Sequence, residues 1–296
     1  MSLKLQSLAT SIGTALDLSL QPQPGARVHG GCINECYRWE SKERPIFVKI
    51  AQADARATFD VEAAGLEELA RAHAVRVPRV LGTGVSDDHA WLALEWVEFG
   101  SRSRTCEVAL GEGLALQHRH RGQAFGWRLD NTIGSTPQLN GWQADWVSFF
   151  RERRLRYQLD LAVRNGYAGD LQRSGEALLE RMSQFFSGYQ PVPSLLHGDL
   201  WGGNWAADQH GEPVIFDPAP YYGDREADVA MTRLFGGFGA DFYSAYEGAW
   251  APDPGCRARA GLYNLYHVLN HVNLFGGGYV PQATAMIGRL LSELRS

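Results

Sequence analysis

The sequence lacks the features that would place it on nucleic acid or in a membrane. Its 28 Lys and Arg residues are outnumbered by 33 Asp and Glu residues, giving a net charge of −5, whereas a nucleic-acid surface needs a clustered basic excess. No stretch approaches the roughly 18 apolar residues of a membrane span. The first sixteen residues carry one charge, Lys4, but Ser, Thr and Gln interrupt any apolar core of a signal peptide. We therefore expect a cytoplasmic protein with no nucleic-acid or membrane partner.

Cysteine is also scarce. The four cysteines show no paired CxxC spacing, so the sequence predicts neither a zinc site nor a disulfide framework. Cys32 follows a glycine pair in a candidate phosphate-binding loop. A thiol exposed at that position would be a redox switch, and a small side chain that fills space is the alternative.

The first hundred residues predict the order strand, strand, helix, strand, strand, which indicates an α+β protein. PIFVKI (45–50) has a buried-strand pattern, residues 54–73 predict a helix, and residues 77–86 and 89–98 predict two further strands. The expected architecture is a small mixed N-lobe at 1–98, with an antiparallel sheet and one main helix, and a larger, mainly helical C-lobe at 99–296. A layout of this kind is typical of an enzyme with a cleft.

The C-lobe is expected to open with a loop-rich insertion at 100–142 around a helix at 106–120. A compact β-rich segment at 194–218 interrupts the later helices. These helices are predicted at 143–164, 168–188, 222–236, 240–248, 256–275 and 281–294.

One constellation indicates phosphoryl transfer. LLHGDLWGGNW places His197, Asp199 and Asn204 in an H-x-D-x-x-x-x-N pattern, and Asp217 ends the run VIFD thirteen residues later. Phosphoryl transfer needs an acceptor for the proton of the attacking hydroxyl and oxygen ligands for magnesium. Asp199 suits the first role, while Asn204 and Asp217 supply the hard oxygens that magnesium prefers. Simple turns are the alternative, but the spacing and the flanking apolar strands fit a kinase catalytic loop.

Lys49 is the one charge in its predicted strand. An unpaired ammonium would be costly in an apolar strand, so we expect an ion pair with Glu62 on the following helix. Glu67 or Glu68 would be alternative partners. Lys49 could also point outward from an edge strand, as lysine commonly does.

Two weaker features bear on nucleotide binding. Gly30 and Gly31 lie between strand candidates and could cover phosphates with backbone N–H groups, although a glycine pair is usually a hairpin turn. The segment Glu95, Trp96, Val97 would be the linker between the lobes, offering backbone hydrogen bonds to adenine.

Six motifs spread along the chain belong together: GGCINE (30–35), FVK (47–49), STPQLNGWQADWVSFF (135–150), LLHGDLWGGN (195–204), FDPAPYYGDREADVAMTRLFGGF (216–238) and LYHVLNHVNLFGGGY (265–279). With these motifs the chain resembles the fructosamine kinase (ketosamine 3-kinase) family over about residues 10–290. The resemblance implies a protein-kinase-like two-lobed fold akin to aminoglycoside and choline kinases. It also implies ATP- and Mg²⁺-dependent phosphorylation of the 3-hydroxyl of a ketosamine, either a fructosamine or a ribulosamine. The acceptor would be free or on a lysine of a glycated protein, and the enzyme a monomer or weak homodimer.

The resemblance assigns roles to five residues. Lys49 would contact the nucleotide phosphates and Glu62 would hold it. Asp199 would be the catalytic base, and Asn204 and Asp217 would bind magnesium.

Other functions stay open at this point. One is an aminoglycoside, choline or homoserine kinase of the same fold, and another is a nucleotide-binding pseudokinase, which normally lacks the base or a metal ligand. Gly198 stands where protein kinases have arginine, and no activation segment is apparent, so regulation by phosphorylation of such a segment is not expected.

The candidates for substrate contact are Trp201, His197, Asn131 and Asp145. Trp201 could present an aromatic face to a sugar ring or pack beneath the loop. Asn131 lies in a predicted structured loop where turn roles are more common, and Asp145 could cap a helix or bind a substrate amine.

Three polar residues share one face of the predicted helix 256–275. His267, Asn270 and His271 could hold a metal, but packing is favoured because no carboxylate or cysteine lies nearby in sequence. A structural hydrogen-bonding role is likewise favoured for Asp228.

Overall fold

The computed structural model describes residues 2–28 and 34–294, with side chains from Leu5 onward. Gly30, Gly31 and Cys32 lie outside the described residues, so their roles stay predictions. The chain forms two compact units, one of residues 1–107 and 203–218, the other of residues 108–202 and 219–296. The division of the chain into lobes at 1–98 and 99–296 stays a prediction.

The first unit is built on four antiparallel strands and two helices. The strands are β1 (Glu35–Trp39), β2 (Ile46–Gln52), β3 (Val80–Ser86) and β4 (His89–Glu95), and their order in the sheet is β1-β2-β4-β3. The helices are α1 (Ser2–Leu16) and α2 (Arg56–Arg71), with a short 3-10 turn at Ala53–Ala55 before α2. The predicted order of strand, strand, helix, strand, strand is confirmed.

Alternation along β2 divides its side chains between two cores, because successive side chains of a strand point to opposite faces. Three side chains of β2 pack with Leu8 and Ile12 of α1, namely Ile46, Val48 and Ile50. Phe47 and Ala51 pack with the cluster that contains Phe59 of α2. Lys49 is therefore on the α2 side of the sheet.

The second unit is mainly helical, and the predicted helices are largely confirmed. Eight helices, α3 to α10, span in order Arg104–Arg119, Trp146–Phe149, Tyr157–Arg164, Asp170–Arg181, Glu226–Leu234, Ala240–Ala249, Cys256–Phe275 and Tyr279–Glu293. A π-helical segment, Phe150–Arg156, joins α4 to α5, and a 3-10 turn, Met182–Phe186, follows α6.

Short strands were the main omission of the sequence-based prediction. The hairpin β5 (Asn131–Ile133) and β6 (Thr136–Gln138) was not predicted, nor was β8 (Trp205–Ala207), which pairs with β9 (Pro213–Ile215). The helix predicted at 222–236 was wrong at its start: Tyr221–Gly223 is strand β10, which pairs with β7 (Ser194–Leu196). Aromatic residues favour strands, and the pair Tyr221-Tyr222 follows that preference.

Within residues 2–28 and 34–294, no helix is both long enough and apolar enough to cross a membrane. The longest helix, α9, instead buries a charged residue. Arg259 donates to both carboxylate oxygens of Glu226, at 2.7 and 3.0 Å, and to Asp253 at 2.5 Å.

We expect the buried Arg259–Glu226 pair to be a major determinant of stability. Arg259→Met leaves a buried carboxylate without its counter-charge, which typically costs about 3–5 kcal/mol. Urea unfolding monitored by circular dichroism measures the loss. The control is Arg233→Met, which breaks an exposed pair with Glu247 and should cost at most about 1 kcal/mol. Equal losses in the two variants would contradict this account of α9.

Candidate active site

Lys49 is buried on the central part of the sheet, not exposed at an edge. Strand β2 lies between β1 and β4, and the lysine is only 5% exposed. Its ammonium is 2.7 Å from Oε1 of Glu62 on α2 and 2.5 Å from Oδ1 of Asp217. The predicted pair with Glu62 is present, and the outward-pointing alternative is wrong. Glu68 pairs with Arg71 instead.

The two carboxylates keep Lys49 charged. Burial by itself lowers the pKa of a lysine, but the negative charges of Glu62 and Asp217 outweigh it, and the pKa of Lys49 is held well above its usual value. Burial raises the pKa of Glu62, with the lysine acting in the opposite direction. The arrangement presents a fixed cation against the Asp217 carboxylate.

The β8–β9 hairpin places Asn204 next to Asp217. Asn204 immediately precedes β8 and Asp217 follows β9 by two residues, and the Asn204 carbonyl accepts a 3.0 Å hydrogen bond from Phe216 N–H. Asp217 has a left-handed backbone, with φ of 53°. Non-glycine residues seldom adopt this conformation, and it often occurs at functional sites. The hairpin therefore brings an amide and a carboxylate together in the unit that holds Lys49.

The loop that carries Asp199 is fastened through its backbone to Asp228 on α7. One Asp228 oxygen accepts from His197 N–H at 2.7 Å and the other accepts from Gly198 N–H at 2.9 Å. Gly198 has φ of 82°, and an added Cβ would overlap the carbonyl oxygen of Ala219. Only glycine fits at this position without displacement of the backbone.

A buried histidine supports Asp228 from the other side. Burial lowers the pKa of His118, so the imidazole is neutral, and its Nε2 lies 3.2 Å from Asp228 Oδ2. Its Nδ1 lies 2.8 Å from the hydroxyl of Tyr246, which also accepts from Arg225. The consistent assignment has Tyr246 donating to Nδ1 and Nε2–H donating to Asp228. Hydrogen bonding from the imidazole helps to keep the pKa of Asp228 below its usual range, in spite of burial.

The end of the loop packs closely on the turn after α7. Gly202 N–H donates to the Gly236 carbonyl at 3.1 Å, and an added Cβ at Gly202 would lie 2.8 Å from the Cα of Gly237. Trp201, one residue earlier, is 36% exposed. Its face remains accessible, as a sugar contact requires.

Comparisons with known proteins agree with this geometry. The family model described as fructosamine kinase matches residues 4–293. The chain belongs to the fructosamine kinase family.

Two curated relatives cover most of the chain. A probable ketoamine kinase from Synechocystis is 46% identical over 97% of this chain and 96% of its own length. A chloroplastic protein-ribulosamine 3-kinase from Arabidopsis thaliana is 41% identical over 91% of this chain and 83% of its own length.

Solved structures confirm the predicted protein-kinase-like fold. A candidate fructosamine-3-kinase from Haemophilus somnus superimposes with a TM-score of 0.86 at 27% identity, covering 96% of this chain and 97% of its own. A thermostable mutant of an aminoglycoside phosphotransferase, solved with ADP and hygromycin B, has a TM-score of 0.63 at 15% identity over 97% of this chain and 98% of its own. The second likeness concerns the fold alone.

In this fructosamine kinase family member, three of the four candidate substrate residues have structural partners. The side chain of His197 is completely buried and its Nδ1 accepts from Asp199 N–H at 3.3 Å, and its role as a substrate contact stays a prediction. Asn131 donates to the Pro220 carbonyl and accepts from Gln138. Asp145 accepts from Ser148 N–H at 2.7 Å and caps α4, the alternative that the sequence left open. Trp201 and Asp145 both stay exposed, and Asp145 is committed to the helix cap.

The predicted linker has one buried and two surface side chains. Glu95 accepts from Arg76 at 3.1 Å, Trp96 donates its indole N–H to Glu98 at 2.8 Å, and Val97 is buried. A role in adenine binding would use the backbone of this segment and stays a prediction.

A polar network around Arg154 was not predicted. Arg154 projects from the π-helical segment, donates to Oδ1 of Asn140 at 2.6 Å, and stacks 4.1 Å from the ring centre of Tyr221. Asn140 in turn donates to Asn131, which holds the Pro220 carbonyl. π-helical turns often occur at functional sites. In the sequence, the run of arginines in FRERRLR was the signal for this network. The network fixes the backbone just after the Asp217–Pro218 step.

The histidines of α9 do not form a metal site. Among the described residues no group of three potential His, Cys, Asp or Glu ligands comes together. His267 is buried beside the ring of Tyr266, and burial lowers its pKa to about 3. The favoured prediction of helix packing is confirmed for His267.

The backbone at Gly198 should be intolerant of a side chain. Gly198→Ala combines left-handed strain with a clash against Ala219. The matched control is Gly188→Ala, where φ is 75° and nothing lies within 4 Å of an added Cβ. We expect about 1–2 kcal/mol of destabilisation in the control and at least about 2 kcal/mol more for Gly198→Ala, measured by urea unfolding. Equal effects would show that the loop is not tightly packed on Ala219.

Proposed function

We propose that this chain is an ATP- and Mg²⁺-dependent kinase that phosphorylates the 3-hydroxyl of ketosamines. The observation that carries the proposal is the buried Lys49, paired with Glu62 and Asp217, in the same unit as Asn204. A lysine oriented by a helix glutamate, together with an acidic and an amide oxygen ligand, is the set that phosphoryl transfer from a nucleotide uses.

The residues present fit a magnesium ion and a nucleotide. Asp217 supplies a carboxylate that pairs with the cation of Lys49, and the neighbouring Asn204 carries an amide oxygen. Carboxylate and amide oxygens are the hard ligands that magnesium prefers. When bound, the ion would neutralise charge on the phosphates. Lys49 would contact phosphate oxygens, and Glu62 would hold its ammonium in position.

Asp199 would act as the base. Its carboxylate would accept the proton of the substrate 3-hydroxyl. The hydrogen bonds from His197 and Gly198 to Asp228 fix the backbone just before Asp199. Trp201 would contact the sugar.

The choice of acceptor follows the relatives. Family membership and the relatives named for ketoamines and ribulosamines support a ketosamine, free or on a lysine of a glycated protein. An aminoglycoside acceptor has support only at the level of the fold, at 15% identity. A pseudokinase is disfavoured because Lys49, Asp199, Asn204 and Asp217 are all in place.

A coupled assay for ADP formation tests the proposal across four acceptors: a free ribulosamine, a free fructosamine, a glycated peptide and an aminoglycoside panel. We expect Mg²⁺-dependent turnover of at least one ketosamine, with NMR locating the phosphate on the 3-hydroxyl. Asp199→Asn should lower kcat by at least about 100-fold, the scale of a lost general base, with ATP binding retained in calorimetry.

The matched control is Asp170→Asn, which changes an exposed aspartate paired with Arg173 and should leave kcat unaltered. Turnover of aminoglycosides alone would overturn the proposed substrate. Wild-type kcat in Asp199→Asn would overturn the proposed base.

A further inference from the structure

An aromatic cluster lies at the C-terminal end of α9, and the catalytic chemistry proposed above does not use it. His271 is its centre: ring centroids of Phe235, Phe275 and Tyr279 lie 5.0, 5.4 and 5.0 Å from the imidazole. Phe235 is 39% exposed and Phe275 is 66% exposed. We call these four residues the α9 aromatic cluster. Two large exposed aromatic rings that contact the same imidazole give this surface an apolar patch, and such patches often mark binding sites.

The imidazole in this cluster has an unmet hydrogen-bonding capacity. Nδ1 of His271 is buried and has no hydrogen-bond partner. Burial lowers the pKa of His271, which favours the neutral ring. A neutral imidazole has one nitrogen that can only accept, and in the tautomer with the proton on Nε2 this nitrogen is Nδ1. A buried acceptor of this kind is satisfied when a ligand brings a donor within reach.

The cluster is continuous with the loop that carries Asp199. Phe235 immediately precedes Gly236, whose carbonyl accepts from Gly202 N–H at 3.1 Å. Gly202 in turn follows the accessible Trp201. One backbone hydrogen bond, between Gly202 and Gly236, therefore links the segment of the proposed sugar contact to the segment of the α9 aromatic cluster.

We propose that the α9 aromatic cluster binds the secondary ammonium through which a ketosamine joins its carrier amine. The inference rests on the proposed function and deepens it. A ketosamine carries a cation next to its sugar, and aromatic faces attract cations. Phe235, Phe275 and Tyr279 supply the faces, and Nδ1 of His271 accepts a hydrogen bond from the ammonium. The cluster thereby selects amine-linked sugars over neutral ones.

The test compares two substrates that differ in charge: an N-alkyl ribulosamine and the ether analogue in which oxygen replaces the amine. The ether is measured as a substrate or, without turnover, as a competitive inhibitor. Phe275→Leu should raise KM for the amine roughly three- to tenfold, on the scale of a lost cation–π contact. Its kcat and the constant for the ether should stay within about twofold of wild type. Phe275→Tyr keeps the aromatic face and should retain the wild-type KM.

A second variant tests the imidazole separately. His271→Phe keeps an aromatic ring but removes the acceptor, so KM for the amine should rise while thermal unfolding is unchanged or shifted upward. Equal increases for amine and ether in Phe275→Leu would indicate an apolar pocket for the carrier and overturn the proposal, as would an unchanged KM for the amine. Failure of the wild type to phosphorylate the amine would instead overturn the proposed function, and the inference with it.

Discussion

The ion pairs of Lys49 are the constraint on which the proposed nucleotide site depends. A buried ammonium must be paired, and its two partners come from distant parts of the chain, Glu62 on α2 and Asp217 after β9, 168 residues away. Removing one partner of a buried pair typically costs about 3–5 kcal/mol. The pairing helps to fix the β8–β9 hairpin in the first unit. Arg76 adds to it through a backbone bridge to Val214 and an ion pair with Asp208.

A second set of contacts holds the backbone around Asp199 and after Pro218. Asp228 accepts hydrogen bonds from the backbone N–H groups of His197 and Gly198, the two residues before Asp199. Neutral His118 makes a further hydrogen bond to Asp228. Arg154 and Asn131 hold the backbone after Pro218. His118, Arg154 and Asp228 are all buried, so these contacts are made inside the protein. The α9 aromatic cluster adds the proposed site for the ammonium of the acceptor.

The sequence predicted the features that local pattern controls. Alternation identified β2 and placed Lys49 on it, helical periodicity found α9, and the cost of a buried ammonium selected a helix glutamate. Short strands such as β10 were not predicted, because three residues carry too little periodicity to distinguish a strand from a helix. The roles of His118, Arg154 and Asn131 depend on contacts over more than 80 residues or on a π-helical turn, which no local pattern encodes. The motif position of His197 did not indicate that its buried side chain accepts from Asp199 N–H.

The most direct test of the account is the affinity for ATP, measured by calorimetry with and without Mg²⁺ in Lys49→Met and Glu62→Gln. Both variants should bind at least about tenfold more weakly, since each removes or releases the proposed phosphate contact. The matched control is Glu68→Gln, which changes a glutamate of the same helix that pairs with Arg71; it should bind as the wild type does. Wild-type ATP affinity in a folded Lys49→Met variant would contradict the central claim.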